Sequence, residues 1–409
     1  ALDPADNLLV TGRSFSNATG DALITLKYSP DGLLLWKART TTGVEGHRVA
    51  TDSAGNVIVA GRDTDASSRD FLTIKYDPSG NVLWTRTYNG PNSFTDQVNG
   101  LAVTPTGDVV VTGESTGGVS SFDAATVYYE ADGTERWVRR YTSSGTGQDA
   151  GADVAVGGGG EIYVGGHAIV DGTTAYLLIR YDELGDEVWV RTCDGPLSDL
   201  GARVATDTEG NAILTGVSSS DIVTVKYDPD GELLWSATFA GGGEDFANGL
   251  AVGGDDSIYV TGDSSQQVVT IKYNPDGTEA WNDPVDNGAF PDRGYNVAVD
   301  AEDNVAVAAQ SPILTLYYEQ EGGGIPCGDL VLFQARCTPA GTIQARAVFS
   351  DESHAGETVT FGIDGTPVVR TIFKNAASYQ EPDAGLGAHT ITLDDPARCA
   401  PAVDVNCPQ

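Results

Sequence analysis

Alternating apolar segments separated by a polar turn recur along most of the chain. One copy, from Ile74 to Trp84, reads IKYDPSGNVLW, and close copies end at Trp36, Trp235 and Trp281. Apolar residues at every second position predict a β-strand before the tyrosine. The Asp-Pro-x-Gly segment predicts a tight turn, because proline fixes φ and glycine accepts a positive φ. Each copy is therefore expected to form a β-hairpin.

The aromatic residues of this hairpin keep a constant separation. In six copies a tyrosine precedes a tryptophan by eight residues, and the chain contains no other tryptophan. A constant offset predicts the same hairpin geometry in each copy, with the aromatic side chains packed between neighbouring sheets. The pairs are Tyr28 and Trp36, Tyr76 and Trp84, Tyr129 and Trp137, Tyr181 and Trp189, Tyr227 and Trp235, and Tyr273 and Trp281.

Two further short strands complete each repeat unit. One of them ends on glycine, as in residues 51–61, 104–113, 206–216 and 253–262, and a short apolar strand precedes it. The tyrosine recurs at intervals of 46 to 53 residues, and four strands at such a period are typical of β-propeller blades. The glycine-ending strand occurs seven times, with Ala309 replacing the last glycine, and so does the tyrosine strand. The count predicts seven blades.

The seventh unit differs from the others, because Pro326 stands eight residues after Tyr318, where the tryptophan is expected. We therefore expect blade seven to lack its tryptophan strand within this chain. The first residues, Ala1 to Asp3, read as the middle of a repeat unit, which predicts an upstream segment. Such a segment, or a strand from another molecule, is expected to fill the open edge, since a bare edge promotes aggregation.

The combined pattern, D-x-x-G-N-x-Y-V-T-G followed by K-Y-x-x-x-G-x-x-L-W, resembles the SBBP-type repeat. That repeat is found in seven-bladed propellers of large bacterial surface and secreted proteins. The resemblance covers about residues 1–320. It implies an all-β propeller fold and a location outside or on the surface of a bacterial cell, and it implies no particular activity.

The repeat ends before a glycine-rich linker at residues 322–326. Alternating segments such as 342–348 and 389–393 predict further strands. The segment 327–409 resembles an immunoglobulin-like β-sandwich of the kind appended to bacterial surface proteins. The expected organisation is thus an all-β chain, with a seven-bladed β-propeller at 1–321, the linker, and a small disulfide-linked β-sandwich.

Four of the five cysteines lie in this last segment, at Cys327, Cys337, Cys399 and Cys407. Their spacing does not suit a zinc site, so they predict two disulfides and an oxidising compartment. We favour nested pairing, Cys337 with Cys399 and Cys327 with Cys407. Local pairing, Cys327 with Cys337 and Cys399 with Cys407, stays open. Cys193 stands alone and is interpreted as a buried inert thiol, with an intermolecular bridge as the alternative.

The chain carries a formal net charge of −35, which excludes nucleic acid as a partner because a polyanion repels phosphates. Three interpretations of the acidity stay open: adaptation to high salt, a calcium-loaded extracellular protein, and an ordinary acidic secreted protein. No cofactor is expected. Ca²⁺ in the Asp-rich turns is the alternative, but no turn matches an EF-hand loop, and turn chemistry is the stronger interpretation. No apolar stretch is long enough to span a membrane.

No set of residues stands out as catalytic. His47 and His167 are each interpreted as a surface or packing residue, and His354 and His389 lie in the predicted sandwich. A residue present in nearly every unit usually joins blades, so we expect one recurrent carboxylate to bond backbone N–H groups of the next unit. This carboxylate precedes the short apolar strand, at Glu45, Asp96, Asp149, Asp199, Asp245 and Asp292.

Three functions are compatible with these patterns. The first is a non-catalytic extracellular scaffold, a surface or matrix component that joins other subunits or further copies of itself, in a filament or layer, by strand donation. The second is a module that binds glycans or peptides through loops such as Arg13–Gly20 and Arg62–Asp70 at the propeller mouth. The third is an enzyme acting on polysaccharide, which would need a cluster of carboxylates unique to one blade.

Overall fold

The computed structural model consists of β-strands, and it contains no helix in the part of the chain that it describes. The described strands form nine sheets, none of them closed. The described residues are 1–16, 20–40, 44–64, 69–91, 94–117, 121–143, 147–193, 203–285, 293–300, 303–310, 314–318, 330–337, 343–349, 358–363, 366–371, 376–381, 387–395 and 403–407.

The first seven sheets follow one another along the chain, and we number them in that order. Sheet 1 contains β1 (Leu8–Ser16), β2 (Gly20–Tyr28) and β3 (Leu34–Arg39). Sheet 2 contains β4 (Val44–Thr51), β5 (Val57–Thr64), β6 (Arg69–Tyr76) and β7 (Val82–Tyr88). Sheet 3 contains β8 (Asp96–Val103), β9 (Val109–Thr116), β10 (Phe122–Tyr129) and β11 (Glu135–Tyr141). Sheet 4 contains β12 (Ala150–Val156), β13 (Ile162–Val170), β14 (Thr173–Tyr181) and β15 (Glu187–Cys193).

The next three sheets repeat this pattern. Sheet 5 contains β16 (Arg203–Thr206), β17 (Ala212–Ser218), β18 (Asp221–Tyr227) and β19 (Leu233–Phe239). Sheet 6 contains β20 (Asp245–Val252), β21 (Ile258–Ser264), β22 (Gln267–Tyr273) and β23 (Glu279–Val285). Sheet 7 contains β24 (Arg293–Val299), β25 (Val305–Gln310) and β26 (Leu314–Tyr318). In all seven sheets, consecutive strands are hydrogen-bonded neighbours.

Two sheets near the C-terminus do not follow the repeat. One has the order β27-β28-β31, with β27 (Leu330–Cys337), β28 (Ile343–Phe349) and β31 (Ala376–Glu381). The other has the order β30-β29-β32-β33, with β29 (Thr358–Ile363), β30 (Thr366–Thr371), β32 (Gly387–Asp395) and β33 (Val403–Cys407). The immunoglobulin-like assignment of this segment remains a prediction.

The hairpin that carries the aromatic pair contains a β-bulge. In sheet 2, Lys75 stands opposite Trp84 and Tyr76 stands opposite Val82, with a register shift between Lys75 and Tyr76. Residues directly opposite each other share a face, whereas consecutive residues alternate. Since Lys75 shares the face of Trp84 and Tyr76 follows Lys75, Tyr76 and Trp84 lie on opposite faces of their sheet, each directed towards a different neighbouring sheet.

The apolar core of the repeat region is divided into layers between consecutive sheets. Val57 and Val59 of β5 pack on sheet 1 together with Leu9, whereas Ile58 and Ala60 of the same strand pack on sheet 3. Further layers lie between sheets 3 and 4 and between sheets 4 and 5. Both faces of these strands are buried, so their apolar residues run almost continuously. Small sheets packed face to face in chain order form a propeller-like fold.

The chain divides into two compact units, Ala1–Ala247 and Asn248–Gln409. Within the second unit, Tyr259 of sheet 6 packs with Val307 and Leu316 of sheet 7. The predicted linker at 322–326 lies outside the described residues. The predicted division into propeller, linker and sandwich therefore stays a prediction.

Candidate functional site

Four repeated tryptophans of the first unit contact the tyrosine of the following sheet. Trp84 on β7 lies 5.9 Å from Tyr129 on β10, measured between ring centroids. The same contact recurs at 5.9 Å for Trp36 and Tyr76, 5.8 Å for Trp137 and Tyr181, and 6.3 Å for Trp189 and Tyr227. Within the second unit, Trp281 lies 5.0 Å from Tyr318. Tyr28 lies on β2, Trp235 on β19 and Tyr273 on β22.

In Trp36, Trp84, Trp137 and Trp189 the indole N–H is also used between sheets. It donates to a backbone carbonyl in the polar turn of the next hairpin, at 2.9–3.1 Å. The acceptors are Pro78 for Trp36, Ala131 for Trp84, Glu183 for Trp137 and Pro229 for Trp189. The ring thus combines apolar burial with one hydrogen bond whose partner belongs to the neighbouring sheet.

The recurrent aspartates hold backbone N–H groups in buried positions. Asp96 is fully buried and accepts hydrogen bonds from the backbone N–H of Gly90 at 2.7 Å and of Thr116 at 3.1 Å. Asp149 repeats this with Ser143 at 2.6 Å and Ile169 at 3.0 Å. The first donor lies in the connection from the preceding sheet, and the second ends a strand of the same sheet. The aspartate therefore fixes the connection into its own sheet.

The other recurrent acidic positions fall into three groups. Asp245 is fully buried and accepts a bond from the N–H of Gly241 at 2.6 Å. Asp199 and Asp292 lie outside the described residues. Glu45 departs from the pattern, because its carboxylate binds an arginine instead of backbone N–H groups.

A buried lysine–aspartate pair recurs that the sequence analysis does not single out. In sheet 2, Lys75 lies against Asp52 and also donates to the carbonyls of Gly107 and Ala131 of sheet 3, at 3.0 and 3.2 Å. The pair thus joins two sheets. The Nζ–Oδ2 distances are 2.6 Å for Lys27 and Asp3, 3.0 Å for Lys75 and Asp52, and 2.7 Å for Lys226 and Asp207.

A sequence signal for this pair exists within the repeat itself. The lysine stands directly before the repeated tyrosine, and the aspartate opens the turn before the glycine-ending strand. In sheet 3 the lysine is replaced by Tyr128 and the aspartate by Thr104, and Tyr128 instead bonds Asp108 at 2.8 Å. Both residue types are present together in sheets 1, 2 and 5, whereas sheet 6 keeps only the lysine, Lys272, and sheet 7 only the aspartate, Asp300.

The repeated residues are therefore engaged in holding sheets together, and candidate functional residues are those that differ between sheets. In the first unit such residues lie on the first strand of each sheet and directly after the closing glycine. We define the first-strand charge cluster as Glu45, His47, Arg48, Arg62, Asp153 and Arg203. All six side chains are partly exposed.

At one end of this cluster, Glu45 lies between two nitrogen groups. Its Oε2 is 2.6 Å from Arg62 Nη2 and 4.0 Å from His47 Nε2. His47 Nδ1 lies 3.1 Å from the carbonyl oxygen of Val98, which can only accept, so Nδ1 carries the hydrogen. Asn99 makes the equivalent bond to Gly151 in the next sheet. His47 thus links sheets 2 and 3 while its other nitrogen faces Glu45.

Arg62 retains an unused hydrogen-bond donor. Its Nε is buried and has no partner among the residues that the structure describes, although Nη2 binds Glu45. The equivalent residue in sheet 3 is Glu114, which follows Gly113, and burial raises the pKa of this carboxyl above its usual range. In sheet 4 the equivalent residue is His167. The position after the closing glycine therefore carries different polar chemistry in each of these sheets.

At the other end, Arg48, Asp153 and Arg203 occupy one structural position in three sheets. Each stands opposite the residue that precedes the closing glycine, namely Ala60, Gly165 and Thr215 respectively. The N–H of Val204, next to Arg203, lies 3.4 Å from Asp153 Oδ2. Burial raises the pKa of Asp153, although the charges of Arg203 and Arg48 oppose this change.

In the described part of the chain, no group of three or more His, Cys, Asp or Glu side chains is arranged to hold a metal ion. No described helix could cross a membrane. Ca²⁺ binding and the disulfide pairing stay predictions. Cys337 and Cys407 lie on β27 and β33, and Cys327 and Cys399 lie outside the described residues. Cys193 ends β15, and His389 lies on β32.

No family model and no curated protein sequence matches this chain. Among solved structures, a protein from Lactobacillus plantarum is similar with a TM-score of 0.52 and 16% identity, over 77% of this chain and 92% of that one. A puromycin hydrolase mutant complexed with PGG is similar with a TM-score of 0.52 and 12% identity, over 85% of this chain and 57% of that one. The chain thus spans little more than half of that hydrolase. At such identities the likeness concerns the fold alone, and the chain has an all-β fold with structural neighbours among propellers.

Proposed function

We propose that this chain is a non-catalytic extracellular scaffold with a propeller-like repeat region and an immunoglobulin-like sandwich, and that it assembles with further protein through sheet 1. The supporting observation is the exposed face of β1. Leu8 and Val10 are 46% and 41% exposed, whereas Val57 and Val59 at the equivalent positions of sheet 2 are fully buried. The same two positions are buried in sheets 3 to 7. The apolar face of sheet 1 is therefore exposed, whereas the equivalent face is buried in sheets 2 to 7.

The hydrogen-bonding edge of β1 supports the same proposal. In the described residues, sheet 1 contains three strands, and the edge of β1 is paired near Leu8 and Leu9 by Ala1 and Leu2. Phe15, at the far end of β1, is 69% exposed. An added strand would satisfy the backbone groups of this edge and cover its apolar side chains.

The experiment compares association of the parent chain with that of a Leu8→Asp, Val10→Asp double variant. We expect the parent to associate with rising concentration in analytical ultracentrifugation, and the double variant to remain monomeric with an unchanged melting temperature. Val82→Asp is the matched control, because Val82 is 58% exposed on β7, away from this edge. A parent chain that is monomeric at all concentrations would exclude assembly through β1.

Turnover of amide or glycoside substrates by the purified chain would exclude a non-catalytic role. The hydrolase among its structural neighbours makes this test worthwhile.

A second candidate function is ligand binding at the first-strand charge cluster. The observation that favours it is a contrast between two sets of residues. The repeated residues bind neighbouring sheets to each other, whereas the charged residues of this cluster differ from sheet to sheet and are partly exposed. Binding residues on repeat proteins typically vary between units on a constant framework.

A further inference from the structure

Residues 1–91, which contain sheets 1 and 2 of the first unit, differ in charge from the rest of the chain. Of the 23 Lys and Arg residues of the protein, nine lie here, but of its 58 Asp and Glu residues only ten do. These two sheets are therefore nearly neutral. Almost all of the net charge of −35 belongs to the remainder of the chain.

The same two sheets carry most of the exposed apolar side chains. Of the fifteen large apolar side chains that are exposed in the described part of the chain, nine lie in residues 1–91. Four of the nine lie on β1 or just before it. The other five are 51–67% exposed and stand where the last strand of each sheet begins: Leu33, Leu34 and Leu35 at β3, and Val82 and Leu83 at β7.

The beginnings of β3 and β7 lie next to each other. Trp36, which follows Leu35, donates to the carbonyl of Pro78 in the turn before β7, at 3.0 Å. A Cβ on Gly80 of the same turn would come within 2.8 Å of this indole ring. The exposed side chains on both sides of the contact therefore belong to one surface. We define the outer-strand surface as Leu33, Leu34, Leu35, Val82 and Leu83.

Sheet 5 carries the same apolar pair in a different charge environment. Leu233 and Leu234 open β19 and are 54% and 51% exposed, compared with 52% and 51% for Leu34 and Leu35. The turn before β3, residues 29–33, has one acidic residue, whereas the turn before β19, residues 228–232, has three. These are Asp31 in the first turn, and Asp228, Asp230 and Glu232 in the second. The two leucine pairs are thus equally exposed, and the charge around them distinguishes them.

We propose that the outer-strand surface docks on the same surface of a second copy of this chain when salt screens the charge of the two molecules. Two copies repel each other, and the repulsion is smallest where their nearly neutral parts face each other. This arrangement also buries the exposed apolar side chains of both copies, which stabilises the association. β1 and β3 are opposite edges of sheet 1, with β2 between them, so this contact is separate from assembly through β1 and does not depend on it.

Salt should strengthen this association. Charges act over about 8 Å at physiological ionic strength and over about 3 Å at 1 M, so high salt removes most of the repulsion between the acidic parts of two copies. Screening does not weaken the burial of apolar surface, which involves no charge. A contact made by ion pairs between the copies would respond in the opposite sense, because screening weakens ion pairs. The direction of the salt effect therefore distinguishes the two kinds of contact.

The test uses the full chain with Leu8→Asp and Val10→Asp, so that association through β1 does not contribute. In analytical ultracentrifugation we expect a monomer at about 0.1 M NaCl and a dimer at about 1 M NaCl. Adding Leu34→Asp and Leu35→Asp should weaken dimerisation about tenfold or more, because each copy then brings charge into an apolar contact. The matched control adds Leu233→Asp and Leu234→Asp instead. It introduces the same charge at equally exposed positions and should change the dimer Kd less than about twofold.

A second measurement needs no variant at the surface. In hydroxyl-radical footprinting read by mass spectrometry, Leu34, Leu35 and Leu83 should become protected at high salt as the protein concentration rises. Leu233 and Leu234 should stay reactive. Protection of both leucine pairs alike would indicate general salting-out and would overturn the assignment of the surface.

Three further outcomes would overturn the proposal. They are a monomer at every salt concentration, a dimer that salt weakens, and an equal loss of dimer in the two leucine variants. Binding to phosphatidylcholine vesicles that Leu34→Asp and Leu35→Asp abolish, without dimerisation, would assign the surface to lipid instead. Association through β1 is measured separately, in the parent chain at low salt, so the failure of one contact is distinguishable from the failure of the other.

Discussion

The indole N–H of Trp84 donates a hydrogen bond to the backbone carbonyl of Ala131, 47 residues further along the chain, at 3.0 Å. The donor lies on the last strand of sheet 2, and the acceptor lies in the polar turn of sheet 3. Four such bonds hold successive hairpins of the first unit at one distance. The constant Tyr–Trp offset in the sequence therefore accompanies two features: the hairpin within each sheet and the tryptophan contact with the next sheet.

Replacing Trp84 by phenylalanine tests this joint. Trp84→Phe keeps an aromatic ring against Tyr129 but removes the hydrogen bond to Ala131 and leaves part of a buried volume empty. We expect the free energy of unfolding to fall by about 1–3 kcal/mol, measured by urea denaturation. Val82→Ala on the same strand is the control, because Val82 is exposed, and its effect should stay within about 0.5 kcal/mol. Equal losses of unfolding free energy in the two variants would show that the contacts of the Trp84 indole do not stabilise the fold.

Gly133 and Gly32 form a matched pair for the packing of the turn on the indole ring. Both have a positive φ, +85° and +77°. A Cβ at Gly133 would lie 2.8 Å from Trp84, whereas a Cβ at Gly32 would meet nothing within 4 Å. Gly32→Ala should therefore cost about 1–2 kcal/mol from backbone strain alone, and Gly133→Ala about 1–3 kcal/mol more from overpacking. Calorimetric melting of both variants checks this, and equal losses would contradict the close contact.

Asp96 is expected to be a structural carboxylate whose loss leaves backbone donors unpaired. Asp96→Ala removes the acceptor of the Gly90 and Thr116 N–H groups at a fully buried position. We expect a loss of about 1–3 kcal/mol for each orphaned donor, seen as a lower urea midpoint. Asp31→Ala, in an exposed turn, serves as the control. If hydrogen exchange of the Gly90 and Thr116 amides stays as slow as in the parent, the assigned bonds are absent.

The buried pair of Lys75 and Asp52 predicts sensitivity to acid. Burial by itself would raise the pKa of Asp52, but hydrogen bonds from Asn56 and Lys75 outweigh it, so the pKa is lowered from 3.8. A carboxyl with a lowered folded-state pKa stabilises the fold above the unfolded pKa, about 3.9, and this contribution is lost as pH falls below that value. The pKa of Asp207 beside Lys226 is lowered in the same sense.

Asp52→Asn should therefore flatten the dependence of unfolding free energy on pH below about pH 4. Lys75→Met should cost about 3–5 kcal/mol near neutral pH, because it leaves the buried carboxylate without its cation. The double variant should recover part of that loss. Urea midpoints measured across the acid range check all three. A parent-like acid profile in Asp52→Asn would show that this pair does not determine acid stability.

The sequence determined the strands, their order and their hairpins, because these depend on local patterns. Alternation of apolar residues defined strands such as β6, and the Asp-Pro-Ser-Gly turn placed the return strand with Trp84. Because the same unit recurs, each local prediction applied to every copy. One unit was therefore enough to predict the all-β, propeller-like fold. A carboxylate that recurs in nearly every unit, such as Asp96 or Asp149, was therefore predicted to have a structural role.

Only the tertiary structure decided which distant charges meet. Arg48, Asp153 and Arg203 share no motif and lie in separate units of the repeat, so no local pattern distinguishes them from other acidic and basic residues. Their common place appears when the register of β4, β12 and β16 is known and the first strands are packed together. The exposure of Leu8 and Val10 was hidden for the same reason. Their sequence is that of a buried strand, whereas their exposure depends on the packing of the folded chain.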